Sequence, residues 1–407
     1  MIRVKFLWQG GFHEITKTGL SRLRGGMRGK MAKGEKEKAF LGKRILRTAC
    51  RILGIMAGVL VLAAVVYLAY VILSYKRLPD NLKLPVTITK EAVNQKETPV
   101  QIGEEYSIAT YNIGFGAYTP QFSFFMDGGK SSVAESKESV LETVRGAASS
   151  VEESLHPDFM LWQEVDLDAT RSYHVDEYEE IQEYFKDYYM SFAVNYDSAF
   201  LFYPLTEPHG KSRAGIAVMS AYPIESALRR SFPIATSFSK FLDLDRCYSI
   251  NRIPVEGGKY LCIINLHMSA YGNSDAIRQG QIAMLCEDMQ KEYAAGNYVI
   301  CGGDFNHDLK ALTDDGSERE SWAYPFPREE LPEGFRFCLD DFTKKELADM
   351  HNSARNADEA YNPETTYMVT LDGFIISDNI KCTWYENVDW QYRYSDHDPV
   401  YMRFILQ

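Results

Sequence analysis

Asp304 and Asn306 stand two residues apart in Gly302-Gly303-Asp304-Phe305-Asn306, directly after the apolar run Tyr298-Val299-Ile300-Cys301. The run reads as a buried strand, and side chains two apart leave a strand on one face. A carboxylate there can orient a water or take its proton, and a neutral amide beside it can donate to an oxyanion. Attack of water on phosphorus needs both partners. An ordinary strand-to-loop turn also uses Gly, Asp and Asn, so this stretch by itself leaves both readings open. Polar residues recur, however, where other apolar runs stop. Asn112 ends one, Glu164 follows Phe159-Met160-Leu161-Trp162-Gln163, and His267 follows Ile263-Ile264-Asn265-Leu266. Asp372 precedes Phe374-Ile375-Ile376, and Ser395-Asp396-His397-Asp398 precedes the last apolar run. Each has a plain structural reading alone. Together they are the residue types that a metal-assisted phosphate hydrolase needs: hard oxygen ligands, a base, and histidines to meet phosphate.

These residues need elements to position them. Periodicity predicts strands at 106–113, 159–162, 215–219, 246–255, 259–265, 298–301, 374–376, 380–385 and 399–406. Glu256-Gly257-Gly258 marks a hairpin turn. Helices are predicted over 136–155, with Val140, Val144, Ala148 and Val151 on one stripe, and from a cap at Asn273 or Ser274 to Gly296. There is no internal repeat. Many strands and few helices over about 300 residues predict two packed sheets covered by helices.

The stretch before this region has a different character. Residues 1–51 hold 14 Lys/Arg against 3 Glu, whereas 104–407 hold 25 Lys/Arg against 50 Asp/Glu. Residues 52–74 carry no charge in 23 positions, enough to cross a bilayer. The basic block before that span predicts a cytoplasmic N-terminus and an extracytoplasmic remainder. Met27 and Met31 stand as alternative starts. Pro79, Pro85 and Pro99 interrupt any helix in 75–103, which reads as a stalk. The expected organisation is thus a basic cytoplasmic segment (1–51), one transmembrane helix (52–74), a stalk (75–103) and a catalytic domain (104–407). The seven cysteines are scattered without CxxC spacing and read as small buried residues.

The ordered set TYN at 110–112, QE at 163–164, GIAVMSAYPI at 215–224, NLH at 265–267, GGDFN at 302–306, LDGFIIS at 371–377 and SDHDPV at 395–400 resembles the endonuclease/exonuclease/phosphatase superfamily. That superfamily includes pancreatic-type deoxyribonucleases, abasic-site endonucleases, neutral sphingomyelinases and inositol polyphosphate 5-phosphatases. The resemblance implies a four-layer α/β sandwich with two central mixed sheets and the site at the strand ends. It implies Mg²⁺, or Mn²⁺, held by Glu164 and Asn112, with Asp396 supporting the metal or His397. Asp304 would orient or deprotonate the attacking water, and Asn306 would bind the developing phosphorane oxygens. His267 and His397 would contact phosphate, with Asp372 fixing the imidazole of His397.

This chain has Gly114 where some nucleases of that family carry an acid two residues after the first Asn. His307 reads as loop surface, and 166–212, rich in Tyr and acid, reads as a substrate-reading insertion or a covering loop. Arg213 is a candidate phosphate contact. The filled polar set favours a phosphoesterase over a non-catalytic binding module on the same fold. The acidic balance of 104–407 favours a small or lipid-borne phosphoester over long nucleic acid, although an extracytoplasmic nuclease stays open. No protein partner is legible.

Overall fold

The computed structural model describes residues 17–74, 77–89, 97–234, 245–269, 275–311 and 323–407. In chain order its elements are α1 (Lys17–Ser74), β1 (Leu82–Leu84), β2 (Val86–Thr87), β3 (Glu105–Asn112), α2 (Lys137–Ser154), β4 (Phe159–Ala169), α3 (Glu177–Gln182), β5 (Tyr189–Asp197), β6 (Ser212–Ser220), β7 (Ser226–Ser231) and β8 (Cys247–Val255). There follow β9 (Lys259–His267), α4 (Asp275–Ala294), β10 (Tyr298–Asp304), β11 (Phe335–Phe337), α5 (Lys344–Asp349), β12 (Ala354–Arg355), β13 (Met368–Val369), β14 (Asp372–Ser377), β15 (Ile380–Asn387) and β16 (Val400–Leu406).

The chain divides into two units, Met1–Tyr70 and Val71–Gln407. The first is helical from Lys17, although the sequence predicts a helix only from residue 52. Residues 30–47 are rich in Lys, Glu, Ala, Leu and Arg, all strong helix formers, and no proline precedes Pro79. Helix propensity therefore carries the helix back through a block that has no apolar face. The stretch Gly26–Ser74 has a mean hydropathy of 2.7 in its most apolar window and is long and apolar enough to cross a membrane.

The second unit is a sandwich of two seven-stranded mixed sheets, flanked by helices. One runs β1-β7-β8-β9-β10-β14-β11 and the other β15-β16-β3-β4-β6-β5-β2. Among the described residues, β9–β10 and β3–β4 are the strand pairs that run parallel. Hairpin β8–β9 turns at Glu256-Gly257-Gly258 as predicted. The main core lies between the sheets, where Ile108, Phe159, Leu161, Val218 and Met402 of one meet Ile263, Ile300 and Phe374 of the other. Burying such side chains contributes about 1.5–3 kcal/mol each. A second core packs α2 on the other sheet through Val140, Val144, Ala148 and Val151. Ser136 caps α2 by accepting from the Ser139 backbone N–H at 3.0 Å. The predicted cap of α4 at Asn273 or Ser274 lies outside the described residues.

One buried polar bridge crosses between the sheets beneath the strand ends. Gln163 Nε2 donates to Asn265 Oδ1 at 2.8 Å, and Asn265 Nδ2 donates to the carbonyls of Trp162 and Ala217. A fully satisfied network of this kind fixes register where apolar packing alone permits sliding. The two glycines before Asp304 do not form a turn; they lie inside β10. A Cβ on Gly303, whose φ is +135°, would fall 2.1 Å from the Leu266 carbonyl oxygen. Only glycine lets β9 and β10 approach there, and that approach brings His267 level with Asp304.

Part of the stretch 75–103, read from its prolines as a stalk, pairs with the sheets. β1 adds to the edge at β7 and β2 to the edge at β5, with Pro85 between them. Val100 is fully buried, and its N–H donates to the Pro254 carbonyl at 2.9 Å.

Candidate active site

Sheet register aligns the first group of polar residues. Asp304 is opposite His267 on the parallel neighbour β9 and opposite Asp372 on the antiparallel neighbour β14. One row across three strands therefore places the Asp304 carboxylate between a histidine and a second carboxylate. Asn112 ends β3 in the facing sheet, opposite Gln163 of β4. The predicted short strand at 159–162 runs on to Ala169 through a bulge between Trp162 and Val165. That bulge puts Glu164 at φ +54°, and Asn306 sits at φ +51°. Non-glycine residues in the left-handed region are uncommon, and bulges beside functional sites re-aim a side chain.

The side chains converge. Asp304 Oδ2 accepts from Asn112 Nδ2 at 3.1 Å, and Asp304 Oδ1 accepts from the Asn306 backbone N–H at 2.8 Å. His267 Nε2 lies 3.5 Å and His397 Nε2 3.8 Å from Asp304 Oδ2. His397 Nδ1 is 2.7 Å from Asp372 Oδ2, which also accepts from Ser353 Oγ at 2.7 Å. Asn306 Nδ2 donates to the Met268 carbonyl at 2.9 Å, leaving its other amide N–H for a second acceptor.

The environment separates the proton affinities of these groups. Burial pushes the Asp304 carboxyl up to about 7, against the pull of His397. Burial also disfavours charge on His397, but Asp372 first, then Asp304 and Asp396, outweigh it and hold that imidazole well above its ordinary range. His267 moves the other way, because burial and the cations Arg246, His397 and Arg171 keep it neutral. The site thus pairs one cationic imidazole with one neutral imidazole around a single carboxyl.

Beside this cluster lies a cavity of about 260 Å³, lined by Glu164, Asp396, Asp127, Arg171, Arg246 and His267. Aromatic walls come from Phe115, Tyr118, Phe124 and Tyr196. Burial raises the proton affinity of Glu164, and Asp396 raises it further. Two carboxylates lining one cavity suit a hard divalent cation, so the donor set fits Mg²⁺ or Mn²⁺. Asn112 lies next to them, with its Oδ1 accepting from the Gly114 N–H at 3.0 Å. A Cβ on Gly114 (φ +53°) would meet the Tyr118 ring at 2.6 Å and Asp396 Oδ1 at 3.1 Å, so no acid fits at that position here. Asp304, Asp372 and His397 also group closely enough for a metal, as do His351, Asp389 and Asp398. In the first group the Asp372–His397 and Ser353–Asp372 bonds already engage the shared carboxylate oxygen.

Asn112, Glu164, His267, Asp304, Asn306, Asp372, Asp396 and His397 are brought together. Arg213 is not: it is exposed on β6, while its neighbour Ala214 lines the cavity. Adjacent strand residues face opposite ways. His307 is not loop surface; it is 3% exposed, with Nδ1 2.6 Å from the Phe305 carbonyl oxygen. The segment 166–212 holds the end of β4, α3, β5 and the loop that leads into β6, and within it Arg171, Asn195, Tyr196 and His209 line the cavity. Arg171 and Arg246 are the cations that the sequence reading missed. Arg171 is held by both carboxylate oxygens of Asp166 and lies 3.8 Å over the Phe115 ring. The signal for it, an acid five residues before an arginine after the QE pair, is too common to single out.

His209, 4% exposed, gives this wall a pH dependence. Burial, with Arg171 nearby, lowers its pKa from 6.5 to about 4. The unfolded chain takes up the proton first, so stability is full above about pH 6.5 and is lost as pH falls toward 4. Between pH 7 and 5 this costs about 2 kcal/mol. His209→Asn should therefore lose less Tm than the unsubstituted chain over that interval, in thermal unfolding of the detergent-purified protein. Parallel Tm curves would remove the assignment.

A family model described as the Endonuclease/Exonuclease/phosphatase family matches residues 109–397. A search of curated proteins returns no match. Similar solved structures include truncated Caenorhabditis elegans TDP2, 17% identical, covering 75% of this chain and 98% of that one, with a TM-score of 0.43. Another is an endonuclease/exonuclease/phosphatase from Beutenbergia cavernae DSM 12333, 14% identical, covering 74% and 72%, with a TM-score of 0.48. The human Nocturnin catalytic domain with bound sulfate is 15% identical, covering 80% and 98%, with a TM-score of 0.47.

Proposed function

The chain belongs to the endonuclease/exonuclease/phosphatase family, and from that premise we propose that it is a membrane-anchored, divalent-metal-dependent phosphoesterase acting on a small or lipid-borne phosphoester. The observation that carries this reading is the row His267–Asp304–Asp372, with His397 on Asp372 and Asn112 on Asp304. Asp304 orients the attacking water and takes its proton, held in place by Asn112 and the Asn306 N–H. His397 donates from its cationic ring to a phosphoryl oxygen, and Asp372 keeps that ring charged and aimed. His267, neutral, and the spare N–H of Asn306 donate to the charge that develops in the transition state. Glu164 and Asp396, with Asn112, are the residues that would hold Mg²⁺ or Mn²⁺. When bound, that cation neutralises developing charge and polarises the phosphoryl group.

The substrate class rests on charge and shape. Residues 104–407 hold twice as many acids as bases, which disfavours a long polyanion. The cavity of about 260 Å³ and its aromatic walls suit a small head group. The test is a panel of inositol-phosphate, sphingomyelin-type and plasmid DNA substrates, offered to the full chain at physiological salt with Mg²⁺ or with excess chelator. Hydrolysis of a small or lipid ester that vanishes with chelator and returns with Mg²⁺ is expected. Full rates in chelator would overturn the metal dependence, and plasmid nicking alone would overturn the substrate class.

The proposed organisation keeps 1–51 cytoplasmic, 52–74 across the membrane and the catalytic part outside. The basic excess before the apolar span supports this orientation. Protease added to intact cells should remove the C-terminal part; loss only after permeabilisation would reverse the topology.

A further inference from the structure

Outside α1, eight large apolar side chains are exposed among the described residues: Ile102, Met126, Tyr173, Phe202, Tyr203, Leu205, Tyr324 and Trp384. Four of them form one rim. Leu205 is 85%, Tyr203 70%, Met126 68% and Phe202 53% exposed. They belong to two loops that are fastened together. The Ser132 N–H donates to Glu207 Oε2 at 3.0 Å, and the Phe125 ring lies 5.8 Å from Tyr203 and 6.1 Å from His209. Within the second loop, Leu201 and Gly210 exchange backbone hydrogen bonds, and the His209 N–H donates to the Tyr203 carbonyl. The apolar tips are thus presented by a braced hairpin. The rim also opens onto the catalytic cavity, since Met126, Phe124 and His209 line that cavity.

Exposed apolar groups gathered at one place mark a contact surface. The occupant is argued from three features of this chain. It carries its own helix, long and apolar enough to cross a bilayer. The tether beyond that helix is short: three Cα steps of about 3.8 Å join Ser74 to Arg77, whose guanidinium pairs with Asp245 at 3.0 Å. The rim also escapes the acidity of the rest. Residues 198–213 hold Glu207 against Lys211 and Arg213, and 120–133 hold Asp127 against Lys130, whereas 104–407 as a whole hold 50 acids against 25 bases. Aromatic and aliphatic tips beside scattered cations suit the boundary between head groups and acyl chains.

We propose that the rim formed by Met126, Phe202, Tyr203 and Leu205 seats on the lipid surface and delivers a phospholipid head group into the cavity. The proposal rests on the catalytic reading above for its substrate, and on the rim alone for its contact. The experiment uses the full chain in phosphatidylcholine/phosphatidylglycerol vesicles. Leu205→Trp should add a blue-shifted emission that acyl-brominated phosphatidylcholine quenches at least about twofold more than in the unsubstituted chain. Red, unquenched emission overturns the proposal, and cross-linking of Leu205→Cys to a second copy with no lipid quenching assigns the rim to self-association instead. In a second arm, Phe202→Ser with Leu205→Ser should lower hydrolysis of a vesicle-borne phosphodiester at least about tenfold and leave a water-soluble p-nitrophenyl phosphodiester unchanged. Equal losses on both substrates, or none on either, overturn it. A chain that hydrolyses neither substrate but shows the quenching defeats the catalytic reading and leaves the lipid contact standing.

Discussion

Asp304→Asn is expected to lower turnover at least about a hundredfold and to leave Tm at pH 8 unchanged or higher. The loss follows from removing the group proposed to take the water's proton. The stability follows from the sign of its pKa shift. Burial raises the carboxyl to about 7, so above that pH the folded chain carries an ionised group it disfavours. A neutral amide of the same shape relieves this and can still accept from Asn112. Replacement by alanine should lower turnover equally, but it empties the acceptor side of two hydrogen bonds. The check is turnover and thermal unfolding on the same preparation. Near-normal turnover in Asp304→Asn would mean that proton transfer happens elsewhere, and a large fall in Tm would mean that the loss is structural.

His397→Ala should also cost at least about a hundredfold, since the proposed charged donor to the phosphoryl oxygens is lost. Asp372→Asn separates position from charge. Burial by itself pushes the His397 ring toward the neutral form, and Asp372 is the largest influence opposing it. With Asp372 replaced, the ring holds its proton only at lower pH. The variant should therefore lose activity most at alkaline pH and recover part of it as pH falls, while the unsubstituted chain has no such alkaline loss in that range. A uniform loss at every pH would make Asp372 a packing residue only.

Most of the candidate site was legible because it sits at strand ends, where an apolar run followed by Asp, Asn, His or Glu is a local signal. The sheet order was not legible locally. That His267, Asp304 and Asp372 form one row depends on pairing among β9, β10 and β14, and residues 372 and 267 are more than a hundred positions apart. The glycines before Asp304 were legible as special but not for their reason, which lies in the backbone of Leu266. Arg171, Arg246 and the aromatic walls carry no motif and enter the site only through packing. The prolines of 75–103 suggested an unpaired stretch, but a three-residue and a two-residue strand fit between them.

Those two short strands bear on how the protein can be handled and cut. β1 and β2 close the outer edges of β7 and β5, one in each sheet. A soluble version trimmed to start at residue 104 leaves both edges open, and open edges recruit strands from other molecules. A version starting at residue 77 keeps both closed, along with the Arg77–Asp245 pair. If the chain is anchored as proposed, a protease cutting between β2 and β3 would leave β1 and β2 held to the body by their strand pairing, still joined to the apolar helix. On the proposed anchoring, severing the chain there would not release the body until both edge strands had peeled away.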